Sequence, residues 1–326
     1  MPQPMTPALT HPYSFDPTYG YDLASLLRVA APPEARGFEK FWQNTFEQTQ
    51  QTPLALLRET LPTVRPGFRV TLLRYTGFGG FRLGAWLVEP IGTPAPTRYV
   101  VHGHGYYNRP IDDIYYDRHT VTLFLASRGL GLSRGGGVSD QTALHVLNDI
   151  ESRDAYIHRG CVADVWTAAT VMLHLFPQAE DRLEYHGQSF GGGIGMMALP
   201  WDARYVFADI DVPSFGNHPL RITLECAGSG EAVRRKYERH PEILDVLAFY
   251  DASVHAKRVR IPTHITCALF DPSVPPPGQF CIHNALTCAK QLFVRSAAHF
   301  AFDRAAEEDA SRVQSVEYFR RLSMKK

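Results

Sequence analysis

The sequence predicts an α/β fold in which a mostly parallel central sheet carries helices on both faces. Two observations support this fold class: short apolar runs alternate with longer helical patterns, and the apolar runs show no alternation with polar residues. Strands that are apolar along their whole length are typical of a parallel sheet covered on both sides. The 326 residues suffice for one large domain with insertions.

The chain begins with a segment that differs in composition from the rest. Residues 1–35 are rich in Pro, Tyr and Thr and predict an extended N-terminal arm, which leaves residues 36–326 for the α/β domain. Aromatic residues at helical spacing predict a helix over 34–48, and two β-rich runs predict a hairpin over 69–89. Further strands are expected at 99–101, 121–126, 183–186, 205–210, 263–270 and 291–296, and further helices at 156–176, 194–199, 279–289 and 304–322.

Residues 214–258 interrupt the alternation of strands and helices. They are helical in pattern, are charged between Glu231 and Glu242, and contain Gly228-Ser229-Gly230. We interpret them as a small helical cap that is inserted after a sheet strand and covers the functional site. The basic run Arg234-Arg235-Lys236 is typical of a solvated helix face.

Composition argues against several classes of partner. The formal net charge is 0, so there is no reason to expect nucleic acid or an anionic membrane as a partner. No apolar run is long enough to cross a bilayer, and the first residues lack the basic and apolar regions of a secretory signal. The 5 cysteines are scattered, which favours reduced thiols and a cytoplasmic location.

The segment Gly187-Gln188-Ser189-Phe190-Gly191 lies between a short strand and a helix of small and apolar residues. Gly-x-Ser-x-Gly in this context is typical of a nucleophile elbow, where small flanking residues let strand, turn and helix approach closely. The alternative is a glycine-rich turn with a solvated serine. The flanking strand and helix favour the elbow.

A serine nucleophile needs a base, and the base needs an acid to orient it. In α/β hydrolases these groups follow in the order Ser, acid, His, each after a strand. Asp271 directly follows one apolar strand and His299 directly follows the next. The sequence therefore predicts a catalytic triad of Ser189, Asp271 and His299.

Other residues compete for these roles. Asp211 also ends a strand and is the alternative acid, whereas Asp303 is more typical of a helix N-terminus. His283 lies within a predicted helix, and His255 lies in the cap. Loop placement favours the acid and base named above.

Two backbone N–H donors are expected to stabilise the oxyanion. One is Phe190, which follows the nucleophile, and the other is Tyr106, which ends the loop 102–106 after a buried strand. The alternative for His102 and His104 is a metal site, but no third ligand follows at a usable spacing, so no metal is expected. Arg128 is interpreted as a structural ion-pair partner of Asp164 or Glu151.

These residues resemble a known family, the acetyl xylan esterase / cephalosporin-C deacetylase family, which is carbohydrate esterase family seven of the α/β-hydrolase superfamily. The resemblance covers almost the whole chain. Its motifs are Gly105-Tyr106-Tyr107-Asn108, Arg128-Gly129-Leu130-Gly131, Gly187 to Gly193, Asp211-Val212-Pro213-Ser214-Phe215, Asp271 with Pro275-Pro276, and His299-Phe300.

The resemblance implies a serine esterase that removes short acyl groups, acetyl first, from hydroxylated small molecules or xylo-oligosaccharides. It implies Ser189, Asp271 and His299 as the triad, backbone donors at Tyr106 and Phe190, and no cofactor. Pro213 and Phe300 are predicted to bind the substrate.

The chain departs from the family pattern at three side chains. Phe190 and Leu130 replace glutamines and Phe300 replaces a glutamate, which predicts a more apolar site wall. The alternative functions are therefore a longer-chain carboxylesterase or an aminopeptidase-like hydrolase, and a catalytically inactive binding protein is a third. Residues 132–152 are shorter than the family loop that helps to assemble hexamers, so a homo-oligomer is one of two states considered.

Overall fold

The computed structural model describes residues 9–62, 65–92, 95–106 and 110–323. Within these ranges nine strands form one mixed sheet in the order β1-β2-β3-β5-β4-β6-β7-β8-β9. The strands are β1 Leu57–Thr60, β2 Phe68–Thr76, β3 Arg82–Pro90, β4 Arg98–Gly103, β5 Thr120–Ala126, β6 Leu183–Gln188, β7 Tyr205–Asp211, β8 Thr263–Phe270 and β9 Lys290–Ala297.

The sheet is parallel from β5 through β4, β6, β7 and β8 to β9, and antiparallel from β1 through β2 and β3 to β5. The predicted hairpin is confirmed as β2 and β3, which pair over their full length. Strand β1 was not expected, because its four residues are exposed and largely polar and carry no apolar pattern.

Helices cover both faces of the sheet, which confirms the predicted fold class. They are α1 Leu23–Leu26, α2 Phe38–Gln50, α3 Thr142–His145, α4 Ile157–Leu175, α5 Phe190–Ala198, α6 His218–Arg221, α7 Gly230–Tyr237, α8 Ile243–Leu247, α9 Ala252–Ala256, α10 Pro276–Ala285 and α11 Ala305–Ser323. Short 3-10 turns occupy Phe78–Gly80, Ile111–Asp113, Gly131–Ser133, Pro177–Ala179 and Leu199–Trp201.

The main core joins α2 and α4 to one another. The Trp42 and Trp166 rings meet edge to face at 6.2 Å, and Phe46 contacts Trp166 at 5.1 Å. On another part of the sheet Phe207 of β7 packs on Phe319 of α11 at 5.2 Å. The sheet is therefore held between helices, which leaves its carboxyl edge open for a site.

Helix α10 differs from the helix predicted over 279–289. It begins earlier because Pro276 and Pro277 occupy its first turn, where proline is tolerated. It ends at Ala285, where the Lys290 ammonium donates to the carbonyls of His283 and Leu286 at 2.8 and 2.9 Å. A lysine that binds the last carbonyls of a helix stabilises its C-terminus.

The described part of the predicted arm, residues 9–35, lies against the rest of the chain. The Asp271 N–H donates to the Pro17 carbonyl at 3.2 Å, and the Tyr19 hydroxyl donates to the Glu225 carbonyl at 2.7 Å. Residues 1–8 lie outside the described ranges. The boundary between arm and domain at residues 35 and 36 stays a prediction.

Helices α6, α7, α8 and α9 account for the helical pattern of residues 214–258. Their interpretation as an inserted cap stays a prediction. Of the helices in the described ranges, none combines the length and apolarity that crossing a membrane requires.

Candidate active site

Ser189 lies at the turn between β6 and α5 in a backbone conformation that side chains rarely adopt, with φ 53° and ψ −113°. Three backbone bonds hold it there. The Ser189 N–H donates to the Asp211 carbonyl at 2.8 Å, and the Ser189 carbonyl accepts from Gly193 and Ser214 at 3.0 Å each.

Two glycines make this turn sterically feasible. A Cβ atom at Gly191 would lie 2.6 Å from the backbone carbonyl carbon of Gly103, and one at Gly187 would lie 2.6 Å from the Gly191 oxygen. Contacts this short do not occur in proteins, so α5 reaches β4 and β6 only because these positions lack side chains.

The structure brings Ser189, His299 and Asp271 into one hydrogen-bonded row. The His299 Nε2 atom lies 3.0 Å from the Ser189 Oγ atom, and Nδ1 lies 2.7 Å from Oδ2 of Asp271. Because a carboxylate only accepts, Nδ1 carries the proton and the Nε2 lone pair faces the serine hydroxyl.

The Asp271 carboxylate is completely buried and is fixed from its other side. Its Oδ1 accepts the N–H groups of Ser273 and Val274 at 2.9 and 2.8 Å, and its Oδ2 accepts the Gln279 amide at 2.9 Å. These donors and His299 satisfy a buried charge that would otherwise be costly.

The pKa of His299 is raised above its ordinary value. Burial alone would lower this pKa, but the charge and hydrogen bond of Asp271 raise it, and the charge of Asp211 adds to the effect. Arg304 acts in the opposite direction. An imidazole with a raised pKa is a stronger base toward a serine hydroxyl.

The competing residues lie elsewhere or have other partners. Asp211 is paired with Arg295 at 3.1 Å, and burial raises the pKa of its carboxyl. His283 is hydrogen-bonded to its neighbour in α10, and His255 accepts from Trp201 at 3.2 Å. Asp303 accepts the Ala305 N–H at the start of α11 at 3.4 Å.

The expected oxyanion donors flank Ser189. Phe190 is the first residue of α5, so its N–H has no acceptor within the helix. The loop that ends at Tyr106 is fastened to the same helix, because the Gly191 N–H donates to the His104 carbonyl at 2.9 Å. Both N–H groups therefore belong to segments that are tied together beside the serine.

The Tyr106 side chain is anchored by two buried histidines. Its hydroxyl lies 3.3 Å from His145 Nδ1 and 3.3 Å from His158 Nε2. Burial lowers the pKa of both histidines, so both are neutral near pH 7. His145 Nε2 donates to the Arg128 carbonyl at 2.9 Å, which leaves its Nδ1 to accept from the tyrosine.

His102 and His104 have different surroundings. His102 packs among aromatic rings, with Tyr115 and Phe124 each 5.5 Å away, whereas the His104 Nε2 accepts the Ser127 N–H at 3.1 Å. In the described part of the chain no group of three or more His, Cys, Asp or Glu side chains could hold a metal.

Arg128 forms the buried ion pair expected of it. Its Nη2 atom lies 2.6 Å from Oδ1 of Asp164, whereas the other candidate partner, Glu151, is paired with Lys236. The pair joins the loop after β5 to α4.

A cavity of about 620 Å³ opens over Ser189 and His299. Its size suits a small organic ligand. The lining residues that come from 214–258 are Ser214, Phe215, His218, Arg221, Ala227, Gly228, Ser229, Gly230 and Val233. This segment therefore forms one wall of the cavity.

The two residues predicted to bind substrate have different positions. Phe300 lines the cavity, whereas Pro213 is buried and its neighbours Val212 and Ser214 form the wall there. Contact between Pro213 and a substrate remains only a prediction.

The expectation that Phe190 and Leu130 make the site wall more apolar is wrong. Neither is among the residues that line the cavity, and they are 0% and 2% exposed. The Phe190 ring is instead packed between Tyr106 and Phe215. Only the third replacement, Phe300, reaches the cavity.

Sequence reasoning missed the basic residues of the wall. Arg221, Arg295 and Arg304 all line the cavity, although they come from α6, from β9 and from the position just before α11. The sequence did contain one signal for a basic group near the site. Arg295 stands two residues before the end of a strand of the sheet, and a charge buried there needs a partner close by.

A family model described as acetyl xylan esterase (AXE1) matches residues 28–316. A curated protein, acetyl esterase Axe7A of Xylanibacter ruminicola, is 21% identical over 150 residues, which is 46% of this chain. The match spans about a third of that relative's length, 34%.

Solved structures have the same fold. An acetyl xylan esterase from Paenibacillus sp. R4 superposes with a TM-score of 0.78 at 18% identity, covering 91% of this chain and 99% of the other. Acetyl xylan esterase 1 from Thermoanaerobacterium sp. JW/SL YS485 gives 0.78 at 20% identity, covering 91% and 98%. A prolyl endopeptidase gives 0.58 at 18% identity, covering 79% of this chain and 39% of the other.

Proposed function

The chain belongs to the acetyl xylan esterase family, and from this premise we propose that it is a serine esterase that removes acetyl groups through an acyl-enzyme. The observation that carries the proposal is the continuous row from Ser189 Oγ through the His299 ring to the Asp271 carboxylate, with 3.0 and 2.7 Å between partners.

The reaction begins when His299 Nε2 accepts the Ser189 proton as the serine oxygen attacks the ester carbonyl. The imidazolium that forms is stabilised by Asp271 through the Nδ1–H bond. His299 then gives the proton to the leaving alcohol. A water molecule, activated by the same nitrogen, hydrolyses the acyl-enzyme and restores the hydroxyl.

The negative oxygen of each tetrahedral intermediate is assigned to the N–H groups of Phe190 and Tyr106. Donors held in place before the reaction stabilise developing charge without reorganising. Tyr106 is held in place by the contact of its ring with Phe190 and by the contacts of its hydroxyl with His145 and His158.

The substrates proposed are acetyl esters of hydroxylated small molecules or xylo-oligosaccharides. Support comes from the family, from the relative named as an acetyl esterase, and from a cavity large enough for a sugar-sized alcohol. Deacetylation of cephalosporin C belongs to the same proposal.

The test uses the purified chain and p-nitrophenyl acetate. Ser189→Ala should abolish turnover and covalent labelling by an organophosphate, because the acyl-accepting oxygen is gone. Ser214→Ala is the matched control, since this second serine also lines the cavity, and it should still be labelled. Labelling that survives in Ser189→Ala would remove Ser189 from its role.

A longer-chain carboxylesterase remains the second candidate, favoured by one observation. Phe300 presents an apolar ring to the cavity beside His299. Rates for p-nitrophenyl esters from acetate to octanoate decide between the two: a maximum beyond butyrate supports the longer-chain activity, and a steep fall after acetate supports the acetyl esterase. Absence of any burst or turnover across the series would favour an inactive binding protein.

The cytoplasmic location and the homo-oligomeric state stay predictions. Size-exclusion chromatography with light scattering measures the second directly.

A further inference from the structure

The wall of the active-site cavity has an unbalanced charge. Three arginines, Arg221, Arg295 and Arg304, line it, whereas none of the described lining residues is Asp or Glu. A neutral sugar ester would not need this arrangement. A low-dielectric cleft lined by one sign of charge attracts ligands of the opposite sign.

Two of the arginines already form ion pairs with carboxylates that do not line the cavity. Arg295 is bound to Asp211 at 3.1 Å, and Arg304 is bound to Glu308 at 2.8 Å. Their charges are therefore largely compensated at close range.

Arg221 differs from both of them. Among the described residues its guanidinium donates to the Cys226 sulfur at 3.0 Å and to the Leu224 carbonyl at 3.5 Å, and no carboxylate lies within ion-pair distance. Neither acceptor is a carboxylate, so the Arg221 guanidinium has no Asp or Glu partner among the described residues. A half-buried arginine in a ligand cavity is well suited to a carboxylate, which it can bind with two parallel hydrogen bonds.

The first turn of α7 adds to this preference. A Cβ atom at Gly230 would lie 1.6 Å from the Arg221 Nη2 atom, so the guanidinium lies directly on the backbone at the start of this eight-residue helix. Gly228, Ser229 and Gly230 line the same cavity. The positive end of the helix dipole adds to the positive potential at Arg221, whereas the Glu231 and Ala232 N–H groups of this turn already donate to the Gly228 and Ser229 carbonyls at 3.0 and 3.1 Å.

We propose that Arg221, which lies on the first turn of α7, binds a carboxylate carried by the alcohol part of the substrate, so that the enzyme prefers acetyl esters of acidic alcohols, such as uronic acids, to neutral ones. This inference rests on the esterase activity proposed above. The ester bond is placed at Ser189, and the carboxylate is placed at the wall formed by residues 214–258.

The test compares two esters that differ only in charge, 3-acetoxybenzoate and 3-acetoxybenzamide. Each kcat/KM is divided by the rate of uncatalysed hydrolysis, and the ratio of the two corrected values, carboxylate to amide, is the readout. We expect this ratio to exceed one in the wild type and to fall as NaCl rises from 0.05 to 0.5 M, because salt screens the attraction.

Arg221→Gln should lower the ratio roughly 10- to 100-fold, the effect of one charge-assisted pair. The change should appear mainly in KM, since a group remote from the reacting carbonyl binds equally in ground and transition states. Arg221→Lys keeps the charge without the planar fork and should give an intermediate ratio. Arg235→Gln is the control, because this exposed arginine on α7 is paired with Glu231 and does not line the cavity.

The outcomes separate the inference from the activity on which it depends. A wild-type ratio near one, or a ratio that Arg221→Gln and Arg235→Gln change equally, overturns carboxylate recognition while leaving the esterase intact. If neither ester is hydrolysed and Ser189 is not labelled by an organophosphate, the esterase proposal fails and carboxylate recognition fails with it.

Discussion

The Tyr106 and Phe190 rings pack against each other with their centroids 4.3 Å apart. These are the two residues whose N–H groups are assigned to the oxyanion. The two donors come from separate segments, the loop after β4 and the start of α5, so the ring contact helps to set the distance between them.

We expect Phe190→Leu to lower kcat more than it raises KM. The Phe190 N–H survives the change, but the flat surface that supports Tyr106 is lost, and small displacements of oxyanion donors are costly. A loss of roughly tenfold in kcat is expected, within the range for a disturbed donor. Steady-state kinetics with p-nitrophenyl acetate measure it.

Tyr106→Phe is the matched control for this variant. It keeps the ring contact and removes only the hydroxyl that lies between His145 and His158. A smaller loss of kcat than in Phe190→Leu is expected. Unchanged kcat in Phe190→Leu would contradict the role assigned to the ring contact.

The pH dependence of kcat/KM should report His299, which must be neutral to act as a base. Its raised pKa places the midpoint of the acid limb above about 6.5. Activity should therefore rise with pH through that midpoint and level off above it. A midpoint well below the ordinary histidine value would contradict this assignment.

Two charge variants should move that midpoint in opposite directions. Asp211→Asn removes a negative charge that stabilises the imidazolium, so the pKa of His299 should fall and the acid limb should shift to lower pH. Arg304→Gln removes a positive charge and should shift the limb to higher pH, by less, because Arg304 is 43% exposed and well screened. Profiles of kcat/KM between pH 5 and 9 measure both, and shifts of the same sign would be inconsistent with the proposed electrostatics.

Gly191→Ala should destabilise the fold and abolish activity together. The new methyl group would meet the Gly103 backbone at 2.6 Å, and backbone atoms of two packed elements cannot move aside cheaply. We expect a loss of about 3 kcal/mol in unfolding free energy. Gly105→Ala is the control for stability, since its methyl group would lie at an ordinary 3.8 Å from Ser189 Cβ; urea melts compare the two.

The pair of Asp209 and His264 should make stability depend on pH. Burial would raise the pKa of Asp209, but the His264 and Ser315 hydrogen bonds hold it at about 2. The ionised Asp209 therefore stabilises the fold at pH values above about 4, the pKa of an aspartate in the unfolded chain. This stabilisation is lost as the pH falls toward 2. The raised pKa of His264 adds stability that is present below about 6.5 and is lost as the pH rises through the folded pKa.

Asp209→Asn should therefore lower the free energy of unfolding, measured by urea melts, by about 2 kcal/mol near pH 5.5 and by less at pH 9. Asp309→Asn is the control. Asp309 and its partner Arg312 are both 73% exposed, so this ion pair contributes little to the free energy of unfolding. Equal losses at both pH values would argue against the charged pair.

The parts of the fold that the sequence predicts are those with local signals. The elbow is readable because glycine, serine and an apolar helix stand together, and the order of Asp271 and His299 after successive strands predicts that they meet. Strand β1 carries no such signal, because it is a polar edge strand whose place is set by its pairing with β2.

The cavity wall could not be predicted in the same way. Arg221 and Ser189 line the same cavity, although they come from α6 and from the turn before α5, and no short-range pattern specifies that they meet. The direction of the Phe190 side chain could not be predicted either. Helix α5 consists of small and apolar residues, so it has no polar face that would show which side of the helix is buried.

The backbone bond from Asp271 to Pro17 has a practical consequence. A recombinant version trimmed to start at residue 36 would lose the clamp on the loop that carries the carboxylate, together with the Tyr13 ring that packs 6.4 Å from Phe300. Poor turnover by such a shortened protein would therefore report a loosened loop.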